Sequence, residues 1–370
     1  MIRVLHIDTG KAWRGGQAQT LNLAKGLKVR GLDSKIVCRT DSPLYRKAIE
    51  ENVFPYGLKI KGEYDLIATL KLAKIYSIES PHIVHFHDSH SITIGKLAAC
   101  FKKVPIKIIS RRVDFPIKKT LFKRFKYING IDTIITVSKG IKEVLLKDGI
   151  KENIIHTIYS GIDLNKFKLE GDKNYWREKL EFKKNYFLIG NIASLSDHKG
   201  HKYLLQAAKI LKERIDNFEI LIAGDGKLRN SLINLSKNLK VDDVVKFLGF
   251  IEHIPRFLKS IDLFVLSSYL EGLCTSLLDA MASSIPIIAT NTGGIPEAVE
   301  DGVNGILVTP KDPQALADAI YLLYKNPERM KQMGKKGLNR AEKLFSLDSM
   351  IEKTLDLYKM IMNKKELLSK

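Results

Sequence analysis

The chain has 370 residues, enough for two domains of ordinary size, and 45% of them are apolar, which excludes a disordered chain. No apolar run approaches the ~20 residues that cross a bilayer, and three widely spaced cysteines, Cys38, Cys100 and Cys274, argue against a disulfide framework or zinc site and for a reducing, cytosolic setting. The formal net charge is +20, of which +15 falls in the first 150 residues (28 Lys+Arg against 13 Asp+Glu). Within Lys102–Lys126 ten basic residues accompany a single acid, Asp114. Such a field implies an anionic partner, whether a phospholipid surface, a phosphorylated glycan or nucleic acid. Outside that segment, the lysine excess is equally what a thermophilic source would carry.

Ile2–Ile7 alternates over a short run, so the N-terminus MIRVLHID reads as a buried strand rather than a signal peptide. A loop from Asp8 to Gln17 carries Gly10, Gly15 and Gly16, and a helical pattern through Leu21, Leu23, Ala24 and Leu27 follows until Gly31. Strand, glycine loop and helix start favour phosphate, but the Lys-Ser/Thr of a P-loop and the G-x-G-x-x-G spacing are missing. Ser34–Cys38 and Pro81–His87 read as strands. His82, His85, His87 and His90 gather at the end of the latter, where alternation puts His85 and His87 on one face. Without an H-E-x-x-H or carboxylate spacing they read as polar groups at a strand end, and no metal site is expected.

Pro105–Ser110 is the next strand and leads into Arg111-Arg112-Val113-Asp114-Phe115-Pro116. Ile117–Ile128 sets Leu121, Phe122, Phe125 and Ile128 at helical spacing, with Lys118, Lys119, Lys123, Arg124 and Lys126 between them. A basic amphipathic helix suits an anionic membrane, each nearby charge adding about 1 kcal/mol, although the apolar face can equally pack on its own domain with cationic stems fringing it. Nothing resembling a base-stacking module accompanies it, so nucleic acid is not the expected partner. Ile131–Ser138 and Ile154–Asp163 complete the first half, and the charged stretch Leu169–Asn185 separates the halves.

The second half opens with a strand, Tyr186–Ile192, and a loop containing Ser194, Lys199 and Gly200. A helix through Leu204, Leu205, Ala208 and Leu211 comes next, then a strand Phe218–Ala223 and a tight turn at Gly224-Asp225-Gly226. Val244–Gly249 precedes Phe250-Ile251. Asp262–Ser267 precedes a loop with Glu271, Gly272, Leu273 and Cys274, and Thr275 and Ser276 are N-cap candidates for a helix with Leu277, Leu278 and Met281 inward. A buried strand Ile285–Thr290 leads to Thr292-Gly293-Gly294 and a helix start at Pro296-Glu297. Three helical segments follow from Pro313. The boundaries expected are 1–168, 169–346 and a last helix, 347–370, crossing back to the first domain. Uninterrupted βα alternation implies an α/β protein of two doubly wound parallel sheets, with ligands at the strand ends.

Glu271-Gly272-Leu273, Leu278-Asp279-Ala280-Met281-Ala282 and Gly293-Gly294-Ile295-Pro296-Glu297 occur in that order. Together they resemble the donor-site signature of retaining family 4 glycosyltransferases (glycosyl transferases group 1) of GT-B fold. The family pattern is Glu, seven residues, Glu. Here the second acid is Asp279, and Cys274 stands where glycine is most frequent. The resemblance implies two Rossmann-like domains facing a central cleft, the first binding the acceptor and the second the donor. It implies sugar transfer from a nucleotide-sugar, UDP-hexose favoured, to a hydroxyl of a lipopolysaccharide, lipid-linked or other cell-envelope glycan. Retention at the anomeric carbon, no cofactor, no obligatory metal and a cytoplasmic location, peripheral on the inner membrane face, come with it.

The same resemblance assigns roles. Lys199-Gly200 matches the family's phosphate-binding lysine, Gly15-Gly16 the loop that closes over the donor phosphates, and Phe250-Ile251 the turn that holds the base through main-chain groups. Gly224 lines the same pocket. Relatives usually carry an arginine near Ser194, and many have a histidine at about the position of Arg111, near the anomeric centre. Lys199, the glycine loop and the helix start at Cys274, Thr275 and Ser276 would stabilise the departing diphosphate. Glu271 would orient sugar hydroxyls and Asp279 the ribose diol. No carboxylate pair set as nucleophile and acid is visible, which argues against a glycosidase-like double displacement. A sugar-nucleotide epimerase on the same fold is the alternative, and its products would tell the two apart.

Overall fold

Apolar strands with no polar face, alternating with amphipathic helices, can only be buried between helix layers. The computed structural model describes residues 1–117, 126–168, 175–182 and 185–368. The chain divides into two units, Met1–Gly161 with Leu347–Lys370, and Ile162–Ser346.

Strands β1 (Arg3–Asp8), β2 (Asp33–Arg39), β3 (Pro55–Leu58), β4 (Ile83–Phe86), β5 (Ile106–Arg111), β6 (Thr133–Thr136) and β7 (Ile155–Thr157) form the first sheet. Its order is β3-β2-β1-β4-β5-β6-β7, with every pairing parallel. The chain winds outward from β1 to β3, then returns to β4 beside β1. The crevice of this sheet therefore opens where β1 and β4 end, at Asp8 and Asp88. The short β3 is not apparent from the sequence pattern.

The second sheet contains β8 (Phe187–Ile192), β9 (Phe218–Ala223), β10 (Val245–Gly249), β11 (Leu263–Leu266), β12 (Ile287–Thr290) and β13 (Ile306–Val308). Its order is β10-β9-β8-β11-β12-β13, again parallel throughout. The reversal lies between β8 and β11, which brings the loops after Ile192 and Leu266 side by side. Both sheets are those of Rossmann-like domains.

The boundary falls earlier than the expected 168, because the Ile162 N–H donates to the Phe345 carbonyl at 2.8 Å and ties that segment to the second unit. The last helix, Leu347–Leu368, packs on the first unit's helix Gly15–Val29. Met350, Ile351, Leu355 and Tyr358 join Leu23, Leu27 and Ile108 in one apolar cluster. Approach is close enough that a Cβ on Gly26 would stand 2.1 Å from Ile351 Cδ1.

Two local expectations change. Gly15 and Gly16 form the first turn of their helix instead of the loop before it. Cys274, and neither Thr275 nor Ser276, is the N-cap of Thr275–Ala282, and it supplies no side-chain cap. Ser276 has a different partner: its hydroxyl donates to the Ile192 carbonyl at 2.7 Å, pinning the helix to the end of β8.

Candidate functional site

In the second unit, the loop after β8 ends in a short 3-10 turn, Asp197–Lys199, stopped by Gly200 at φ 69°. A side chain at Gly200 would strike the Ser267 carbonyl oxygen at 2.0 Å. The two loops are laced together: Ser267 Oγ donates to the Lys199 carbonyl (3.1 Å) and the Tyr269 N–H to the His198 carbonyl (2.9 Å). Tyr269 also donates its hydroxyl to Asp197. Held from both sides, Lys199 Nζ reaches Glu271 Oε2 at 2.5 Å, with only 14% and 10% of the two side chains exposed. The third motif supports the first, since the Gly294 N–H donates to the Glu271 carbonyl at 3.2 Å.

Helix Thr275–Ala282 turns Leu277, Leu278 and Met281 inward, leaving Thr275 and Asp279 on its open side one turn apart. Among the described residues no group hydrogen-bonds or ion-pairs with the Asp279 carboxyl. Its surroundings push it up to about 7, burial being the main cause and Lys166 a weaker opposing charge. A carboxylate kept unpartnered beside a helix N-terminus is an open acceptor for hydroxyl groups. His201, behind the loop, donates from Nε2 to Asn191 Oδ1 (3.1 Å) and is held down to about 4 by burial, then by Lys199, so it stays neutral.

Gly224, at φ 140°, allows its turn to lie against Ala193, where a Cβ would come within 1.9 Å of the carbonyl oxygen. This brings Gly224 against the Ser194 loop. Ser194 Oγ contacts Ser196 Oγ at 3.3 Å, and no cation stands at that position. Phe250 is 65% exposed while Ile251 is buried. They follow β10, two strands from β8, so roughly 10 Å separates them laterally from the end of β8. Gly272, Leu273 and Cys274 are buried and form the floor of the loop.

The first unit gathers a second polar group at the ends of β1, β4 and β5. Asp8 Oδ1 accepts from the Gly10 N–H and Gln17 Nε2 (both 3.0 Å), and Oδ2 from Thr20 (2.9 Å). Its pKa is raised by burial and by Asp88. Asp88 is a helix N-cap that also binds the Thr9 N–H and hydroxyl (2.5 and 2.7 Å). Arg112 Nη1 meets His87 Nδ1 at 3.1 Å, and His87 Nε2 meets His6 Nδ1 at 3.0 Å. A guanidinium can only donate, so His87 accepts at Nδ1 and donates from Nε2 to His6. His6 then carries its proton on Nε2, which is buried and without a partner. His85 bridges Tyr358 (2.6 Å) and Ser110 (2.8 Å).

His6, His85 and His87 have ring nitrogens within 4.8 Å of one another, the one such group among the described residues. All of their ring nitrogens except His6 Nε2 are engaged, by Arg112, Tyr358, Ser110 and each other, and a neighbouring guanidinium repels a cation. The donor set is that of a neutral hydrogen-bond relay. Burial holds His6 down to about 3 and His85 and His87 well below the usual range.

Arg111, expected near the sugar's anomeric centre, has both terminal nitrogens engaged within its own unit. It is buried, with Nη1 donating to Tyr127 Oη (3.2 Å) and Nη2 to the Phe115 carbonyl. It braces the segment after β5. The guanidinium beside the glycine turn belongs to Arg112, whose Cδ would lie 3.9 Å from a Cβ on Gly16; burial lowers its pKa to about 10. Lys118, Lys119, Lys123 and Arg124, assigned to a membrane patch, lie outside the described residues. Lys126 is bound to Glu63 and, at 2.8 Å, to Ser89 Oγ. Sequence reasoning missed His6, Asp8, Asp88 and Arg112. Asp88-Ser89-His90-Ser91 carried a capping signal that could have found Asp88.

Residues 13–166 match the family model for Glycosyltransferase Family 4, and residues 172–340 that for glycosyl transferases group 1. EpsD of Bacillus subtilis (strain 168), named by class as a glycosyltransferase, is 32% identical over 312 residues, covering 79% of this chain and 80% of that protein. The Escherichia coli UDP-Gal:alpha-D-GlcNAc-diphosphoundecaprenol alpha-1,3-galactosyltransferase is 26% identical over 383 residues, 98% of each. The solved structure of Anabaena Alr3699/HepE in complex with UDP-glucose superposes with a TM-score of 0.88 at 19% identity, over 97% of this chain and 100% of that one. Two parallel-sheet domains of this kind, with these matches, make the protein a glycosyltransferase of GT-B fold. Within that class, the chain belongs to the group 1 glycosyl transferases, family 4.

Proposed function

We propose that the protein transfers a hexose from a UDP-sugar to a hydroxyl of a lipid-linked or other cell-envelope glycan, retaining the anomeric configuration and using no metal. The observation that carries this is the Lys199–Glu271 pair at the switch point of the second sheet, with Asp279 open one helix turn beyond Thr275. Lys199 and the N–H groups at Cys274–Ser276 take up charge on the departing diphosphate. Glu271 orients the sugar's hydroxyls, Asp279 accepts from the ribose diol, and Phe250-Ile251 offers main-chain groups to the base. As the bond from the anomeric carbon to the phosphate oxygen breaks, its electron pair passes to that oxygen, the acceptor hydroxyl oxygen bonds to the anomeric carbon, and the hydroxyl's proton goes to the phosphate. Arg112 and the Gly15-Gly16 turn give the strand ends of the first unit a positive potential of their own. Two relatives support the donor and acceptor classes: the galactosyltransferase above, and the capsular polysaccharide biosynthesis glycosyltransferase CapM of Staphylococcus aureus, 26% identical over 365 residues.

Incubation with a panel of nucleotide-sugars tests the proposal. UDP release, insensitive to EDTA, with a product of the donor's anomeric configuration, is expected. A rearranged nucleotide-sugar formed without acceptor would replace this reading by the epimerase.

A further inference from the structure

A cavity of about 20 Å³ lies within the first unit, behind the end of β5. Ser110 and Arg112 line it from β5 and its exit, Ser160 from the segment after β7, and Leu23 from helix Gly15–Val29. Met350 and Thr354 of the last helix cover it. A space of that size takes one water- or halide-sized guest and rejects phosphate, sulfate or a carboxylate-bearing molecule. Arg112 is the only charged side chain on its wall, because His85, also lining it, is held far below its usual range by burial and stays neutral. The guanidinium lacks an anionic partner among the described residues. Its Nη1 meets the neutral His87, and its Nε is buried and without a partner. Asp8 and Asp88 act on it only through space, their oxygens being taken by Gly10, Gln17, Thr20 and Thr9. Buried charges are ordinarily paired, since desolvating one alone is expensive.

The hydrogen-bond relay beside the cavity has a direction. Tyr358 is fully buried, and its hydroxyl has one partner among the described residues, His85 Nδ1 at 2.6 Å. Leaving a phenol proton there without an acceptor would cost the desolvation of that group. Tyr358 therefore donates and His85 accepts at Nδ1. The single proton of the neutral ring then sits on Nε2 and is donated to Ser110 Oγ at 2.8 Å. Ser110, accepting from His85, keeps its own hydroxyl proton to offer to the cavity it lines. The wall thus carries two donors, the Arg112 Nε–H and the Ser110 O–H, and one uncompensated positive charge. A guanidinium is weakly hydrated and suited to pairing with an anion out of water.

We propose that this cavity is a binding site for one monatomic anion, chloride, held by the Arg112 Nε–H and the Ser110 hydroxyl under Met350 and Thr354. Occupied, it fastens the last helix to the first unit and fixes the guanidinium beside the glycine turn. The site is independent of the donor and acceptor proposed above. The full chain is melted at constant ionic strength while chloride replaces gluconate, an anion too bulky for the cavity, and crystals are grown with bromide for anomalous scattering. The wild-type midpoint should rise with chloride and level off, as a saturable ligand of the native state requires. An anomalous peak should stand between Arg112 and Ser110. S110A should need at least tenfold more chloride for half the effect, and R112M should show no saturable effect. Should R112M fail to fold, S110A decides. A midpoint indifferent to chloride, or the same dependence in S110A as in wild type, would overturn the site and leave the cavity to water. A bromide peak without saturable stabilisation would mean an adventitious ion only, and would overturn it equally.

Discussion

Lys199 and Glu271, 72 residues apart in sequence, meet at 2.5 Å because β8 and β11 are neighbours in a sheet whose order reverses between them. Each is largely buried, so neither charge has water to fall back on. Replacing Lys199 or Glu271 by Ala is expected to lower turnover of the nucleotide-sugar by at least tenfold, and toward a hundredfold if the pair acts on the leaving group. Each variant should also lose stability, because a largely buried ion pair is broken. Steady-state kinetics with denaturant unfolding separates the two effects, and turnover near the wild-type value in either variant would remove the assignment.

Gly200 offers a stricter test of geometry. Its φ is 69°, and a Cβ placed there would stand 2.0 Å from the Ser267 carbonyl oxygen, which leaves no room for alanine. Gly200→Ala is expected to cost at least 1–2 kcal/mol of the second unit's stability, on the scale of the left-handed backbone penalty. It should also displace Lys199 and reduce turnover. Urea unfolding should show the loss, and an unshifted midpoint would contradict it.

Asp279 sets a pH dependence of definite sign. Its carboxyl titrates near 7 when folded and near the ordinary carboxylate value when unfolded, so the folded state holds the extra proton between about 4 and 7. Stability from this group is therefore present below about 4 and declines as pH rises through 7, by at most ~1.4 kcal/mol per unit. Asp279→Asn should abolish that decline. The ionised form is the better hydroxyl acceptor, so donor affinity should rise through pH 7 in wild type and be flat in the variant, as read by titration calorimetry.

The buried histidines act in the opposite sense. His6, His85 and His87 are held neutral when folded but protonate near 6.5 when unfolded, so their contribution is lost as pH falls below 6.5. In wild type, Asp279 offsets part of this. Acid unfolding of the Asp279→Asn variant should accordingly set in at higher pH than that of wild type.

Arg111 and Arg112 should separate by readout. Arg111→Lys cannot keep both the Tyr127 and Phe115 bonds and should lower stability, by about 1–3 kcal/mol, with little change in turnover at permissive temperature. Arg112→Lys should lower turnover more than stability. Thermal melts and kinetics on both proteins decide it, and the reverse pattern would restore Arg111 to the site.

The parallel sheets were legible because runs such as Phe218–Ala223 are apolar on both faces; the ordered motifs pointed to Glu271 and Asp279, and Lys199-Gly200 at a helix start pointed to Lys199, without any geometry. The polar group of the first unit was not. In a sheet covered on both sides, alternation carries no sign, and His6 sits within the wholly buried run that ends β1. Nor could the pattern distinguish Arg111 from Arg112: β5 ends at Arg111, so Arg111 stays with the strand and Arg112 takes the first free turn. The division after Gly161 was hidden because the partners that tie Ile162 to the second unit, Phe345 and Ser346, lie more than 180 residues on.

The first unit borrows its final wall from the far end of the polypeptide, where Tyr358 reaches His85 and Ile351 fills the hollow at Gly26. During synthesis the second unit, continuous from Ile162 to Ser346, has all its strands before that wall emerges. The half that is made first is thus the half that closes last.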